Sequence, residues 1–372
     1  MNALVAIFLA ALPLGGQKTE NVVLVTCDGV RWQEVFGGAD EALLDREHGG
    51  VHDPAGMKKL YGGTSPEARR EALFPFLWGT VAKQGQVFGN GAKKSLARVT
   101  NGKRFSYPGY HEILCGFADS RIDSNDKKEN PNVTVLEWLN GKEAFRGRVA
   151  AFAEWDCFPY ILNAKRSGLL VNAGIMPLDG PGLSDREKVL NDVLLGTTWA
   201  HADQRSDVLT YEMGRAYVAR THPRVIYFAF GETDEWAHEG RYDLVLEAAH
   251  KVDGYLRALW EEIQASPEYA GKTSLVLTTD HGRGEGWTEW RDHGEKVPVS
   301  DRIWVAVLGP DTPALGERAD VPEIAQAQVA ATVAALLGED WRKAEPKAAP
   351  AIESVLGSNV IGSSVIGSGA QK

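Results

Sequence analysis

Asp28, Asp234, His238, Asp280, His281 and His293 are the residue types that hold divalent metal ions. Carboxylate oxygen and neutral imidazole nitrogen are ordinary zinc ligands, and mixed oxygen and nitrogen shells also suit manganese. Asp234 and His238 stand at i and i+4 in E-T-D-E-W-A-H-E-G, so one helical turn directs both the same way. Asp280 and His281 are adjacent, and His293-Gly294 follows twelve residues after His281. Six such residues exceed what one four-coordinate ion needs, which points to two metals, zinc first and manganese second. Two ions about 3.5–4 Å apart can bind the attacking and leaving oxygens of one phosphoryl displacement. A nucleophile is at hand in Phe105-Ser106-Tyr107-Pro108-Gly109-Tyr110. Coordination of the Ser106 hydroxyl to such an ion would stabilise its alkoxide without a histidine base. The following residues, His111 to Leu114 and then Cys115-Gly116, predict a short helix with Ser106 at its amino terminus. There, free N–H groups attract a phosphoryl oxygen. Lys103 and Arg104 supply two cations just upstream.

These residues need a scaffold that places them at one edge. Asn21 to Cys27 is a continuous β-branched run of the kind buried on both faces, and it runs straight into Asp28-Gly29. Arg224 to Phe230 ends at Gly231-Glu232-Thr233-Asp234, Thr273 to Thr279 ends at Asp280-His281-Gly282, and a fourth strand, Arg302 to Leu308, ends at Gly309-Pro310. Helical periodicity covers Arg186 to Leu195, Arg241 to Gln264 and Ala325 to Leu337. Strands alternating with helices predict an α/β fold, a mostly parallel central sheet with helices on both faces. In such sheets ligands bind beyond the carboxyl ends of the strands, where the acids and histidines fall.

The expected organisation is a secretory leader over 1–17, a catalytic domain over 21–340 and a flexible tail over 345–372. Within the domain, roughly 119–185 is expected to form a small cap insertion. The apolar run Ala3 to Leu14 is too short to span a bilayer, so no stable membrane span is expected, and the location is periplasmic or secreted. Fifty acidic against forty basic residues give a net charge of -10, which argues against a nucleic-acid polymer as partner. It leaves room for a small phosphorylated substrate, because a metal can reverse the local field. Three cysteines without C-x-x-C spacing carry neither a disulfide framework nor a redox pair.

Asp after the first strand, Ser before an aromatic-Pro pair, D-x-x-x-H, D-H-G and a further His-Gly occur in an order that resembles the alkaline phosphatase superfamily. The likeness is greatest to its nucleotide pyrophosphatase/phosphodiesterase-like branch, and it spans about Val22 to Leu308. The resemblance implies one metal held by Asp234, His238 and His293. It implies a second held by Asp28, Asp280 and His281, with Ser106 bridging and passing through a phosphoserine. That branch has Asn in its aromatic-Pro-Asn sequence where this chain has Gly109, so an oxygen-binding side chain is missing or comes from elsewhere. Tyr110 stands where the sulfatase branch needs Arg. The expectation is therefore a metal-dependent phosphoric ester hydrolase, a phosphomonoesterase first and a phosphodiesterase or nucleotide pyrophosphatase second. Sulfatase, phosphomutase and a non-catalytic metal- or phosphate-binding protein rank lower. The resemblance implies basic side chains on the extra charge of a monoester, with Lys103, Arg104, Lys165 and Arg166 as the candidates and Gly109 as a further substrate-binding position. Glu154-Trp155-Asp156 and Asn172 are placed at the presumed cap, and Trp236, Trp287 and Trp290 beside the metal motifs.

Overall fold

The structure, a computed structural model, describes residues 17–357. The expected leader therefore lies almost wholly outside the described residues, as does 358–372. Among the described residues ten strands form: β1 Asn21–Cys27, β2 Gln86–Phe88, β3 Ala97–Arg98, β4 Val149–Ala153, β5 Leu170–Ala173, β6 Val225–Phe230, β7 Thr273–Thr278, β8 Val305–Leu308, β9 Gly316–Glu317 and β10 Ile324–Ala325. Eight of them make one sheet in the order β5-β4-β6-β1-β7-β8-β2-β9, while β3 and β10 pair separately. Within the large sheet only β8 is antiparallel to its neighbours. The α/β expectation of a mostly parallel sheet covered on both faces holds.

The reason is visible along β1, whose seven residues are all buried. Val23, Val25 and Cys27 pack into one apolar layer with the long helix Tyr242–Ala265 and the helix Asp207–Thr221. Val22 and Leu24 enter the opposite layer with the helices Ser106–Cys115, Val135–Gly141 and Gln328–Leu336. A strand covered on both sides has no polar face to show, hence the unbroken run of apolar residues. Beside it, Val22 pairs with Val225 of β6 and with Ser274 of β7. The carboxyl ends of β6, β1 and β7 thus lie side by side, which brings three distant segments of the chain to one edge.

Three expectations are corrected. The segment 119–185 is not a cap, because it contributes β4 and β5 to the sheet, with Val149 opposite Val225 of the neighbouring β6. The alanine-rich V-A-A-F-A run carries little β signal of its own, and burial on both faces holds it. The stretch 345–357 is not a flexible tail. Ala348, Ile352 and Val355 are buried, and the Ile352 N–H donates to Thr332 Oγ1 at 2.9 Å. The predicted helix from Ala325 begins at Gln328, because Ile324 and Ala325 first pair with Ala97 and Arg98. Among the described residues no helix is long and apolar enough to cross a membrane.

Candidate active site

Asp28 follows β1 directly, Asp280 and His281 follow β7 after Thr279, and the helix Glu232–His238 starts one residue beyond β6. His281 Nε2 lies 3.2 Å from Asp28 Oδ1, 3.3 Å from Asp280 Oδ2 and 3.8 Å from Asp234 Oδ1. His293 Nε2 is 3.6 Å from Asp234 Oδ1 and 3.1 Å from His238 Nε2, which itself stands 3.3 Å from Asp234 Oδ2. All six sequence-selected ligands therefore converge. They form two compact groups, Asp28–Asp280–His281 and Asp234–His281–His293, with His238 beside the second. His281 belongs to both groups, where the resemblance implied a place in one only.

The chemistry of these donors fits metal ions. Asp28 Oδ1, Asp280 Oδ2 and His281 Nε2 are buried and make no hydrogen bond among the described residues. A buried acceptor left unpaired costs about 1–3 kcal/mol, so three together are expected only where something else satisfies them. The far sides of the rings are fixed. His281 Nδ1 lies 3.0 Å from the Gly282 carbonyl and His293 Nδ1 lies 3.2 Å from the Arg104 carbonyl. Each carbonyl holds a proton on Nδ1, which leaves the Nε2 lone pair for a metal. Burial and the Asp28 charge push the Asp280 carboxyl well above the usual range. Burial opposes ionisation of His281, but the Asp280 and Asp28 carboxylates outweigh it and raise its pKa to about 9. The centre holds more negative charge than its own residues neutralise, and that is the condition a bound cation relieves.

Ser106 is delivered to this edge by the first turn of the helix Ser106–Cys115. The turn before it is tied down by Glu112, fully buried one and a half turns later. Its carboxylate accepts from the Thr100 N–H and hydroxyl at 3.0 and 2.7 Å and from the Asn101 N–H at 2.9 Å. Asn101 Oδ1 in turn accepts from the Lys103 and Arg104 N–H groups, with Arg104 at a φ of 57°. A cleft of about 240 Å³ opens over the result. Asp28, Ser106, Asp234, His238 and His293 line it, with Asn125, Glu154, Trp155, Gln204, Gly231 and Glu235 as its other walls.

No family model and no curated protein matches the sequence. Solved structures do match the fold. The lipoteichoic acid synthase LtaP from Listeria monocytogenes aligns with a TM-score of 0.55 at 11% identity, over 94% of this chain and 77% of its own. The 2-O GAG sulfatase BT1596 aligns at 0.54 and 14% identity, over 91% and 74%. The phosphonate monoester hydrolase SpPMH from Silicibacter pomeroyi aligns at 0.53 and 11% identity, over 91% and 76%. The chain shares its fold with these three proteins.

Within this fold the four basic candidates fall outside the cleft. Lys103 pairs with Glu295. Arg104 contributes its backbone carbonyl to His293, while its guanidinium donates to the Val297 carbonyl at 3.4 Å. Lys165 pairs with Glu129 at 2.6 Å, and Arg166 pairs with Glu137 at 2.7 Å and donates to the Asn132 carbonyl at 2.8 Å. Both sit on a short helix ahead of β5, within the segment expected to form a cap. Among the described residues no Lys or Arg lines the cleft. Trp236 and Trp287 do not line it either, and buried Trp290 packs on Tyr242 while its indole N–H donates to the His48 carbonyl. Asn172 is engaged by Arg205.

Gly109 has a packing role. A Cβ there would stand 2.3 Å from the Asp280 carbonyl oxygen, so the helix bearing Ser106 can rest on the Asp280 turn only without a side chain. Gly109→Ala is expected to cost about 1–3 kcal/mol in chemical denaturation and to lower turnover by parting Ser106 from the metal ligands. Unchanged activity would show that this contact does not set the site.

Three residues escaped the sequence reading. Tyr110, one turn after Ser106 and on the same helix face, donates its hydroxyl to Asp28 Oδ2 at 2.7 Å. Arg283, two residues after His281 and nearly fully buried, pairs with Asp234 and donates to the Asp234 carbonyl at 3.3 Å. Asn125 Oδ1 accepts the Tyr107 N–H at 2.9 Å. The i,i+4 spacing of Ser106 and Tyr110 was a usable signal. Nothing in the sequence marked Asn125, whose position depends on how its loop folds back. Outer hydrogen bonds to ligating carboxylates typically govern 10–100-fold in metal affinity. Tyr110→Phe should weaken metal binding by about that factor in chelator competition, and affinity equal to the parent's would remove Tyr110 from the site.

Proposed function

We propose that the chain is a metal-dependent phosphoric ester hydrolase with Ser106 as nucleophile. The observation that carries this is that Ser106 shares one cleft with Asp28, Asp234, His238 and His293, next to buried Asp280 and His281, and that several donor atoms of this set are buried and unpaired. Asp28, Asp280 and His281 would hold one divalent ion and Asp234, His238 and His293 the other. Zinc is favoured by the nitrogen content of the set and manganese is the alternative. Ions so held supply Lewis acidity, lowering the pKa of a bound hydroxyl and offsetting charge on the phosphoryl oxygens.

Ser106 Oγ attacks phosphorus as the P–O bond to the alcohol breaks, giving a phosphoserine and releasing ROH. Water then cleaves the phosphoserine, restoring Ser106 and freeing the phosphate product. Asn125 has its Oδ1 held by the Tyr107 N–H, which leaves its Nδ2 to donate to a phosphoryl oxygen. In this reading Asn125 fills the role that Gly109 does not. The organic substituent of the ester lies against Glu154, Trp155 and Gln204.

The second reading concerns charge. A monoester dianion would meet no basic side chain in the cleft, which favours a singly charged ester, a phosphodiester, over the phosphomonoester expected from sequence. Rates on bis-p-nitrophenyl phosphate, p-nitrophenyl phosphate and p-nitrophenyl sulfate separate the readings. The diester is expected to be fastest. A faster monoester restores the first expectation, and a faster sulfate ester overturns the phosphoric ester assignment. Export to the periplasm or medium is part of the same reading and rests on the apolar run Ala3 to Leu14.

A further inference from the structure

His238 lines the cleft, and Glu239, next in the chain, lines a second and more open cavity of about 630 Å³. Three guanidinium groups gather there, those of Arg46, Arg241 and Arg291. Among the described residues Glu239 is the one acid that lines it, in a chain whose net charge is -10. Glycines let the segments that carry these side chains approach one another. Gly240 has a φ of 68°, and a Cβ there would stand 2.9 Å from Arg291 Cζ. The Arg291 guanidinium therefore lies against the turn that follows the helix Glu232–His238. A Cβ on Gly50 would stand 2.1 Å from the Gly240 carbonyl oxygen, so the segment after Arg46 rests on the same turn.

The three side chains are held in place but not satisfied. Arg241 donates to Asp243 through Nε and Nη2 at 3.0 Å each. Arg46 Nη2 donates to the His52 carbonyl at 3.3 Å, and Arg291 Nη2 to the His48 carbonyl at 3.0 Å. Arg291 Nε is buried and has no partner among the described residues. A buried donor on a cation is costly unless an acceptor meets it. Guanidinium forks match the oxygens of phosphate in pairs. Three forks around one cavity suit the three oxygens and double charge of a phosphate group better than a carboxylate. The site also adjoins the metal ligands. Arg291 precedes His293 by two residues, a span of at most about 7 Å along an extended backbone. The cleft itself presents no basic side chain, so a second negative charge on the substrate has this cavity to meet it.

We propose that Arg46, Arg241 and Arg291 form an oxyanion subsite beside the metal centre, so that the substrate is a phosphodiester one of whose organic substituents carries a further phosphate group. The proposal rests on the phosphoric ester reading, in which the ester phosphorus lies at Ser106. It divides the two charges of such a substrate between the metal ligands and the arginines. A diester with neutral substituents would leave the arginines unused.

The test is a ratio measured on the metal-loaded protein. It compares kcat/KM for p-nitrophenyl thymidine 5′-phosphate with that for the same ester phosphorylated at the 3′ oxygen. The two share a leaving group and a nucleoside and differ only in the second phosphate. The phosphorylated ester is expected to be at least about tenfold faster, with that ratio falling at least fivefold in Arg46→Gln and in Arg291→Gln. Partial unfolding of a variant lowers both rates together and leaves their ratio unchanged. A ratio near one in the unsubstituted protein, or one retained in both variants, would overturn the subsite and keep the hydrolase. A ratio near one accompanied by binding of inorganic phosphate that Arg291→Gln removes would assign the cavity to the free ion and likewise overturn the proposal. If neither ester is hydrolysed, calorimetry with thymidine 3′,5′-bisphosphate and thymidine 5′-phosphate decides. Tighter binding of the bisphosphate, lost in Arg46→Gln, would keep the subsite and refute the phosphoric ester reading, and equal binding would refute both.

Discussion

Ser106→Ala is expected to lower turnover of p-nitrophenyl esters by about 10³-fold or more, since removing a covalent nucleophile costs several orders of magnitude even where the rest of a site survives. The size of the effect follows from position. Ser106 is 7% exposed, begins the helix that rests on the Asp280 turn, and carries the one hydroxyl among the described side chains lining the cleft. Metal content should be unchanged, because the two ligand groups close without it: His281 approaches Asp28 and Asp280 at 3.2 and 3.3 Å. The check is a pair of measurements on one preparation, steady-state rates and bound metal by elemental analysis. Substantial residual turnover would move the nucleophile elsewhere, and loss of metal together with activity would make Ser106 a structural ligand.

Chelation should produce the second large effect, eliminating turnover and lowering stability. An ion that binds only the folded chain contributes about 4 kcal/mol when its free concentration is a thousand times its Kd. Here it would also offset the charge of three carboxylates, Asp28, Asp234 and Asp280, that lie around one imidazole. The pH dependence has a definite sign. In the metal-free chain His281 is raised from 6.5 to about 9. Its contribution is fully present below 6.5 and is lost as pH rises through 9. Metal binding instead needs the unprotonated ring, and so strengthens over the same interval. The gap in Tm between zinc-loaded and chelated protein should therefore widen from pH 6.5 to 9. A gap that narrows would remove His281 from the metal shell.

Much of this was written in the sequence, and the reasons are local. β1 and β6 announce themselves because strands buried on both faces tolerate almost no polar residue, so their limits at Cys27 and Phe230 were readable to the residue. The acids beyond those limits were legible as ligands because Asp and His at strand ends and at i,i+4 spacing have few other reasons to recur together. Ser106 was legible from the helix start it occupies.

What the chain could not disclose by itself is which distant segments become neighbours. β4 and β5 looked like irregular insertion because an alanine-rich strand gains its stability from the layers that cover it, and those come from elsewhere in the chain. Lys103, Arg104, Lys165 and Arg166 had the right charge, yet ion pairs with partners far away in sequence turn three of them outward and leave Arg104 only its carbonyl. Gly109 read as a missing ligand, and the tertiary structure makes it the point where two backbones touch. Residue type and spacing picked out the candidate metal ligands, because ligands are few in kind and strand ends are where an α/β sheet exposes them. Only the packing of β4 beside β6 decided the shape and charge of the cleft, because the electrostatics of a pocket depend on neighbours that no local pattern specifies.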